Sequence, residues 1–338
     1  MTQSRHIATI LTVGVASLAS NFATAAETVT VDNFVRAEID MTLKRYVAKG
    51  SFGTIVHTRQ PISIDKQDIV RMNRDTLYSS AVFDPTTPVT IFKPDSGGRF
   101  QSMQVVSQDH YMLPTEHGAG EFTLTREKVG TRYVFVIFRT FMDPANPEDI
   151  RAANALQDKI RVTQASVGKF EVPDWDEKSL ATIRDAIKVL ASTKSGEHEM
   201  FGAKGSVDPI NHLIGAAVGW GGNSREAAVY ISGVPAKNDG KTAYVLTAKD
   251  VPVDGFWSVT VYNAKGFMEK NDLGAYSYNN VTAKKDKDGG ITIHFGGDPR
   301  KPNYLPITKG WNYVVRLYQP RKELIDGRWH FPDAQPTK

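Results

Sequence analysis

The sequence contains no cysteine in its 338 residues. That absence excludes disulfides, thiolate zinc sites, iron–sulfur clusters and cysteine nucleophiles. Neither sign of charge dominates, because 41 lysines and arginines stand against 37 acids and leave a net charge of +4. Such a mild excess gives no reason to expect nucleic acid or an acidic membrane as a partner.

Long apolar runs are also missing. The run at residues 7–18 spans about a dozen residues, whereas a helix that crosses a bilayer needs about 20. It follows Arg5 and precedes small residues up to Ala26, which is the pattern of a secretory signal peptide over residues 1–26. We therefore expect a periplasmic or secreted protein with no stable membrane insertion after signal removal.

The rest of the chain alternates between strand and helix patterns. A helical spacing of apolar residues ahead of Gly50 is followed by short strand-like runs, of which the run at 133–138 is apolar on both faces and typical of a central strand. Asn146 and Pro147 are typical of a helix start, and that helix is predicted to run to about Thr163. Two more helices are predicted to follow it directly, and strand patterns return from Ala227.

These patterns predict a mainly β fold with α-helices, in which two β-sandwich domains are joined by a helical connector. After the signal peptide, the predicted domains are 27–145 (a helix plus the first sandwich), 146–222 (the connector) and 223–338 (the second sandwich).

Three motifs are similar to those of a known bacterial family: Asn73-Arg-Asp-Thr-Leu-Tyr-Ser-Ser80, Phe256-Trp-Ser-Val-Thr-Val-Tyr-Asn263 and Arg316-Leu-Tyr-Gln-Pro320. In this order they resemble the family that pairs the domains of unknown function twelve-fifty-four (N-terminal) and twelve-fourteen (C-terminal). Some of its members are labelled cell envelope protein. The resemblance implies an immunoglobulin-like first sandwich and a jelly-roll-like second one, and it implies no particular reaction.

The segment 73–80 is the densest polar cluster of the chain. Arg74 could hold a carboxylate or a phosphate, while Asn73 and Asp75 orient the ligand and Tyr78 shields it. Equally, such side chains turn or cap the chain through bonds to their own backbone. A ligand site and a scaffold therefore remain alternatives for this segment.

Two arginines interrupt the apolar faces of predicted strands. Arg139 continues an apolar row with Ile137, and Arg316 lies between Val314 and Tyr318. Burying an unpaired guanidinium costs several kcal/mol, so each arginine requires a carboxylate partner or an anionic ligand, unless Arg139 lies past the edge of the core. An ion pair within the protein is favoured, because buried charges are usually paired internally.

The leading hypothesis is a small polar or anionic ligand, such as a glycan or a phosphorylated compound, bound between the two sandwiches. Trp220 and Asn223 lie where the connector meets the second sandwich, and clefts between domains are preferred ligand sites. A helix end plugged by the indole is the alternative there. The predicted ligand-binding residues are Asn73, Arg74, Asp75, Tyr78, Arg139, Trp220, Asn223 and Arg316. This hypothesis needs no cofactor.

A hydrolase of phosphate esters or glycosides is the competing hypothesis. Asp109 and His110 follow a predicted strand, and together with Asp75 they could activate a water molecule, with help from a divalent cation. The spacing matches no helix-borne zinc signature, so the metal ligands stay unidentified. A third alternative is an envelope interaction protein without a pocket. The oligomeric state is left open.

Overall fold

A computed structural model describes residues 25–67, 70–194 and 199–337. Over these residues the fold is mainly β, with four sheets and six helices, which confirms the predicted fold class. No helix of the described ranges combines the length and the apolar character needed to cross a membrane. The predicted signal peptide lies outside the described residues, apart from its last two positions.

The first half of the chain forms two sheets. Its elements are α1 (Phe34–Ala48), β1 (Val56–His57), β2 (Thr76–Phe83), β3 (Val89–Lys93), β4 (Gln101–Ser107), β5 (Gly120–Leu124), α2 (Arg126–Val129), β6 (Val134–Phe141), α3 (Pro147–Gln157) and β7 (Arg161–Gln164). The larger sheet has the order β1-β2-β6-β4 and the smaller one β5-β3-β7. Val136 and Phe138 of the larger sheet share a buried cluster with Val89 and Ile91 of the smaller one. The predicted central strand is β6, which is buried along its whole length.

The prediction of three successive helices is wrong for the first helix, which ends earlier than expected and is followed by a strand. That helix, α3, ends at Gln157, and β7 follows it and pairs with β3. The alternating exposure of β7 lets Val162 pack on the core of the first half while Arg161 faces solvent. Tertiary pairing with β3 therefore takes these residues out of the predicted helix.

The connector proper contains α4 (Glu177–Ser192) and α5 (Pro209–Val218), which pack against α1. The elements of the second half are β8 (Ala228–Gly233), β9 (Tyr244–Ala248), β10 (Trp257–Tyr262), β11 (Ser277–Asn279), β12 (Ile291–Phe295), β13 (Tyr304–Leu305), β14 (Asn312–Tyr318), α6 (Lys322–Ile325) and β15 (Gln335–Pro336). Its sheets have the orders β11-β10-β14-β8 and β13-β12-β9-β15, and they share one buried cluster. The arrangement as two sandwiches and the finer labels, immunoglobulin-like and jelly-roll-like, stay predictions.

One face of the larger sheet in the first half positions the candidate site. Along β6, Phe135 and Ile137 lie in a cluster with α1 and Trp220. Phe141, at the end of the same strand, packs instead on aromatic residues of the second half. Arg139 lies on the same face of β6 as these residues, because alternate residues of a strand share a face. It therefore lies between the two clusters, where the first half, the connector and the second half meet.

Candidate functional site

Arg139 is a buried guanidinium whose hydrogen-bond partners are all neutral. It is 6% exposed. Its Nη1 donates to Oε1 of Gln104 and to Oδ1 of Asn223, the latter at 3.0 Å, and its Nη2 donates to the Gly221 carbonyl at 2.7 Å. Within the described ranges no carboxylate forms an ion pair with it. The internal ion pair that the sequence favoured for Arg139 is therefore not found.

The strands on either side of β6 bring further polar groups to Arg139. Tyr78 of β2 and Ser102 of β4 are its cross-strand neighbours. The Arg139 Cζ lies 5.9 Å from the centroid of the Tyr78 ring. Ser102 is buried, and its hydroxyl has no hydrogen-bond partner among the residues described. The neighbourhood of the guanidinium thus has unused hydrogen-bonding capacity.

The 220–223 segment, which follows α5, wraps around Arg139. Besides the two bonds from the arginine, the Gly222 carbonyl accepts from Nε2 of Gln104 at 2.6 Å, and the Gly221 amide donates to Nε2 of His110 at 3.2 Å. Gly221 has a φ of +71°, a conformation that favours glycine. The structure therefore brings Arg139, Trp220 and Asn223 together, as the leading hypothesis requires.

Trp220 closes this region on the side of α1. Its half-buried indole lies 4.9 Å from the Phe135 ring and 5.8 Å from the Tyr46 ring, measured between centroids. Its Nε1 is buried without a hydrogen-bond partner in the described part of the chain. The indole therefore packs against its aromatic neighbours as a plug does, and its N–H group still has no acceptor among the described residues.

Two phenols of the second half complete the surroundings. Nδ2 of Asn223 donates to the Tyr230 hydroxyl at 2.6 Å, and Nδ2 of Asn73 donates to the Tyr318 hydroxyl at 2.9 Å. Burial raises the pKa of Tyr318 well above its usual value, although the positive charges of Arg316 and Arg139 act in the opposite direction. Tyr318 is therefore un-ionised at neutral pH. We call the following set the Arg139 cluster: Tyr78, Ser102, Gln104, Arg139, Asn223, Tyr230 and Tyr318.

The 71–75 segment, which leads into β2, docks on the second half. The carbonyl of Arg71 accepts from Nη2 of Arg316 at 2.8 Å, and the carbonyl of Met72 accepts from the Tyr262 hydroxyl at 2.8 Å. Together with the bond between Asn73 and Tyr318, these contacts tie the two halves through consecutive residues. These contacts join the halves, whereas the scaffold alternative predicts bonds within the segment, such as the one that the Asp75 amide donates to Oδ1 of Asn73 at 2.9 Å.

Arg74 and Asp75 are held by protein groups in the same segment. Nη1 of Arg74 donates to a backbone carbonyl, that of Ile62, and its guanidinium lies 5.5 Å from the Tyr276 ring centroid. Asp75 is fully buried, and its Oδ1 accepts from the side chains of Ser277 and Asn279 at 3.2 and 3.1 Å. Its Oδ2 has no hydrogen-bond partner among the described residues. Both charges therefore belong to the junction of the halves.

Arg316 is also buried without an ion pair in the described ranges. It is 4% exposed, and it donates to the hydroxyls of Thr260 and Tyr262 at 3.0 and 2.7 Å. Burial alone lowers the pKa of Arg316, but Tyr262, Tyr318 and Asp75 together outweigh it and raise the pKa above its usual range. The internal ion pair expected for Arg316 is thus replaced by hydroxyl and carbonyl contacts and by a nearby carboxylate.

The structure does not bring Asp75 together with Asp109 and His110. Asp75 directly precedes β2, at the end of β6 occupied by Phe141, whereas Asp109 and His110 follow β4, at the end occupied by Val134. At about 3.3 Å per residue along a strand, these two ends lie about 23 Å apart. The single catalytic centre that the hydrolase hypothesis needs is therefore not formed by these three residues.

Asp109 and His110 have other partners. Asp109 forms an ion pair with Arg36 of α1. His110 is fully buried with a φ of +62°, and burial lowers its pKa to about 3, so that the neutral ring accepts the Gly221 amide. In the described ranges no group of three or more His, Asp or Glu side chains is arranged to hold a metal ion.

Sequence reasoning did not single out Tyr230 and Tyr318 of the Arg139 cluster as site residues. It also missed Ser102 and Gln104. Both alternate with Met103 and Val105 on β4, a strand that is buried throughout. Polar residues at a spacing of two within a buried strand were the available signal, since they mark a second, polar face.

A separate cleft of about 530 Å³ lies away from the Arg139 cluster and includes Asp84, Arg132 and Glu171 in its lining. Arg132 pairs with both carboxylates. The buried carboxylate of this cleft, Asp84, therefore has an opposite charge beside it, whereas Arg139 has no such ion pair among the described residues.

Gly222 of the 220–223 segment leaves no room for a side chain, because a Cβ there would lie 2.4 Å from the Phe201 ring. Gly222→Ala is expected to displace the segment and to lower the free energy of unfolding by about 1–3 kcal/mol, the usual cost of overpacking. Urea denaturation measures this loss. Gly118→Ala is the control, since a Cβ at Gly118 meets no atom within 4 Å. Equal losses in the two variants would contradict the prediction.

Comparison with family models gives two matches, in the predicted order. Residues 52–164 match "Protein of unknown function (DUF1254)", and residues 231–322 match "Protein of unknown function (DUF1214)". These matches confirm the predicted pairing. No protein with a curated function matches the chain.

Two solved structures have similar folds. The VPA0106 protein from Vibrio parahaemolyticus has a TM-score of 0.67 and 19% identity, and the match covers 91% of this chain and 100% of that one. A putative uncharacterized protein from Burkholderia cenocepacia has a TM-score of 0.50 and 14% identity, with 91% and 87% covered. At these identities the likeness shows the fold alone.

Proposed function

We propose that this chain, which belongs to the family pairing DUF1254 with DUF1214, binds a small anionic ligand at the junction of its two halves. The observation that carries the proposal is the buried guanidinium of Arg139, whose bonds within the described residues all go to neutral oxygens. Burying a charge without an opposite charge costs several kcal/mol. An anion bound beside Arg139 offsets that cost.

The Arg139 cluster has donors left for such a ligand. A guanidinium carries five N–H groups, and the three bonds that Arg139 makes in the described part of the chain leave two of them unused there. The unpartnered Ser102 hydroxyl lies beside it. Tyr78 and Trp220 are half-buried and border on solvent, so they form the rim of the site and shield the bound anion.

Isothermal titration calorimetry of the full chain, purified after export, tests the proposal. The probes are inorganic phosphate, glucose 6-phosphate and glucuronate, with glucose as the neutral comparison. We expect heat from at least one anion and none from glucose. Arg139→Gln is expected to weaken binding by about 30-fold or more, because it removes a buried charge that pairs with the ligand.

Arg328→Gln is the matched control, since Arg328 is exposed and its one ion pair among the described residues is with the nearby Asp326. Arg139→Lys keeps the charge and should bind with intermediate affinity, which separates loss of binding from loss of folding. If no anion binds the wild-type protein, or if Arg139→Gln binds as well as wild type, the proposal is wrong. Arg139 would then serve only to fix the 220–223 segment.

We further propose that the protein acts in the periplasm or outside the cell, because residues 1–26 carry the signal pattern. A tagged full chain is expected in the periplasmic fraction or the medium, and a chain lacking residues 2–26 in the cytoplasm. Cell fractionation measures both. A full chain that stays in the cytoplasm would contradict this location.

A further inference from the structure

The Arg139 cluster is rich in hydrogen-bond donors and poor in free acceptors. The side-chain oxygen of Asn223 is already bonded to Arg139, and that of Asn73, which lies beside the cluster, accepts from the Asp75 amide at 2.9 Å. Oε1 of Gln104 is bonded to Arg139 as well. A ligand that enters this cluster therefore meets donors first.

The two phenols are oriented as donors by their amide partners. Asn223 donates to the Tyr230 oxygen and Asn73 donates to the Tyr318 oxygen. A phenol that accepts one hydrogen bond still has its own hydrogen to give to a third group. Because Tyr230 and Tyr318 lie on the side of the second half and Arg139 on the first, a group between them is contacted from both halves.

The electrostatics of the site agree with this geometry. Both Arg139 and Tyr230 act on the charge of Tyr318, which places the three side chains within electrostatic reach of one another. Burial dominates and raises the pKa of Tyr318, so the phenol keeps its hydrogen at neutral pH. The cluster therefore holds one positive charge and no phenolate that would repel an anion.

We infer that Tyr230 and Tyr318 donate their hydroxyl hydrogens to the ligand, so that the site takes an oxyanion, a carboxylate or a phosphate group, rather than a halide or an uncharged sugar. This inference rests on the proposed function, since Arg139 supplies the charge that attracts the anion. A carboxylate has two oxygens with about four acceptor positions, which suits a fork of guanidinium and hydroxyl donors. A halide offers no such directed lone pairs, and a sugar hydroxyl carries no charge.

The test replaces each phenol and keeps its ring. Tyr230→Phe and Tyr318→Phe are each expected to weaken binding of the oxyanion by about 10-fold to 100-fold, the usual effect of losing one hydrogen bond to a charged group. Calorimetry with acetate and with inorganic phosphate measures the loss. The probe whose affinity falls tells whether the group is a carboxylate or a phosphate. Sodium chloride at equal ionic strength is expected not to compete beyond its screening effect.

Tyr133→Phe is the control variant. Tyr133 is a buried phenol whose hydroxyl donates to the Lys169 carbonyl at 2.8 Å, and it lies next to the other end of β6. Its loss is expected to lower stability and to leave oxyanion affinity unchanged.

The outcomes separate the inference from the proposed function. If Arg139→Gln abolishes binding while both phenylalanine variants bind as wild type does, the inference is overturned and the proposed function stands. If chloride displaces the oxyanion at comparable concentration, the inference is also overturned. If no anion binds the wild-type protein, both fail together.

Discussion

Arg316→Met is expected to lower the free energy of unfolding by about 3–5 kcal/mol, the cost of leaving a buried charge uncompensated. Arg316 makes three bonds, to the hydroxyls of Thr260 and Tyr262 and to the Arg71 carbonyl, and two of them lie within its own sheet while the third crosses to the first half. Its loss also removes one of the two positive charges, with that of Arg74, that act on the buried Asp75 carboxylate. Urea denaturation of the full chain measures the change.

A double-mutant cycle checks that Asp75 is the charge concerned. Asp75→Asn alone is expected to destabilise the protein, while Asp75→Asn combined with Arg316→Met should cost about 0.5–3 kcal/mol less than the sum of the two single losses. Arg321→Met is the control, because Arg321 forms an exposed pair with Asp254 and such pairs contribute about 1 kcal/mol or less. Strictly additive losses would contradict a coupling between Asp75 and Arg316.

Acidification from pH 7 to pH 5 is expected to remove about 2 kcal/mol of stability through His110 alone. Burial lowers the pKa of His110 to about 3 from the ordinary value of 6.5. Between these two values the unfolded chain binds a proton that the folded chain excludes, so stability is complete above about pH 6.5 and falls as the pH is lowered towards 3. Each pH unit in this window costs about 1.4 kcal/mol.

His110→Asn removes the titrating ring, and asparagine tolerates the positive φ of this position. The variant is expected to lose stability less steeply between pH 6.5 and pH 4 than wild type, as measured by denaturation at each pH. The exposed His330 supplies the control, and His330→Asn should keep the steep wild-type slope. Equal slopes for wild type and His110→Asn would show that His110 is not held neutral by burial.

Much of the fold follows from local patterns. The central strand β6 is predictable because its residues are apolar on both faces, which only a strand covered on both sides requires. Strand β7 is not predictable in this way, since residues 161–164 follow a well-capped helix and become a strand only through pairing with β3. Local sequence carries no information about that partner.

The candidate site, like the fold, is predictable from the sequence only in part. Arg139 is recognisable because a charge continues an apolar row, and Trp220 and Asn223 because they follow the last connector helix. Which side chains meet Arg139 depends on strand register, and this places Ser102 opposite it. The separation of Asp75 from Asp109 depends on the direction of their strands, which spacing along the chain does not specify. The hydrolase hypothesis loses its site for that reason.

A crystal structure of the protein grown with the oxyanion that gives the largest heat in the titrations shows directly whether Arg139 binds an anion. We expect electron density for that anion with its oxygens within about 3.2 Å of the guanidinium nitrogens of Arg139 that still have a hydrogen to donate, and of the Tyr230 and Tyr318 hydroxyls. Density for water molecules alone beside Arg139, with the anion elsewhere or absent, would contradict it.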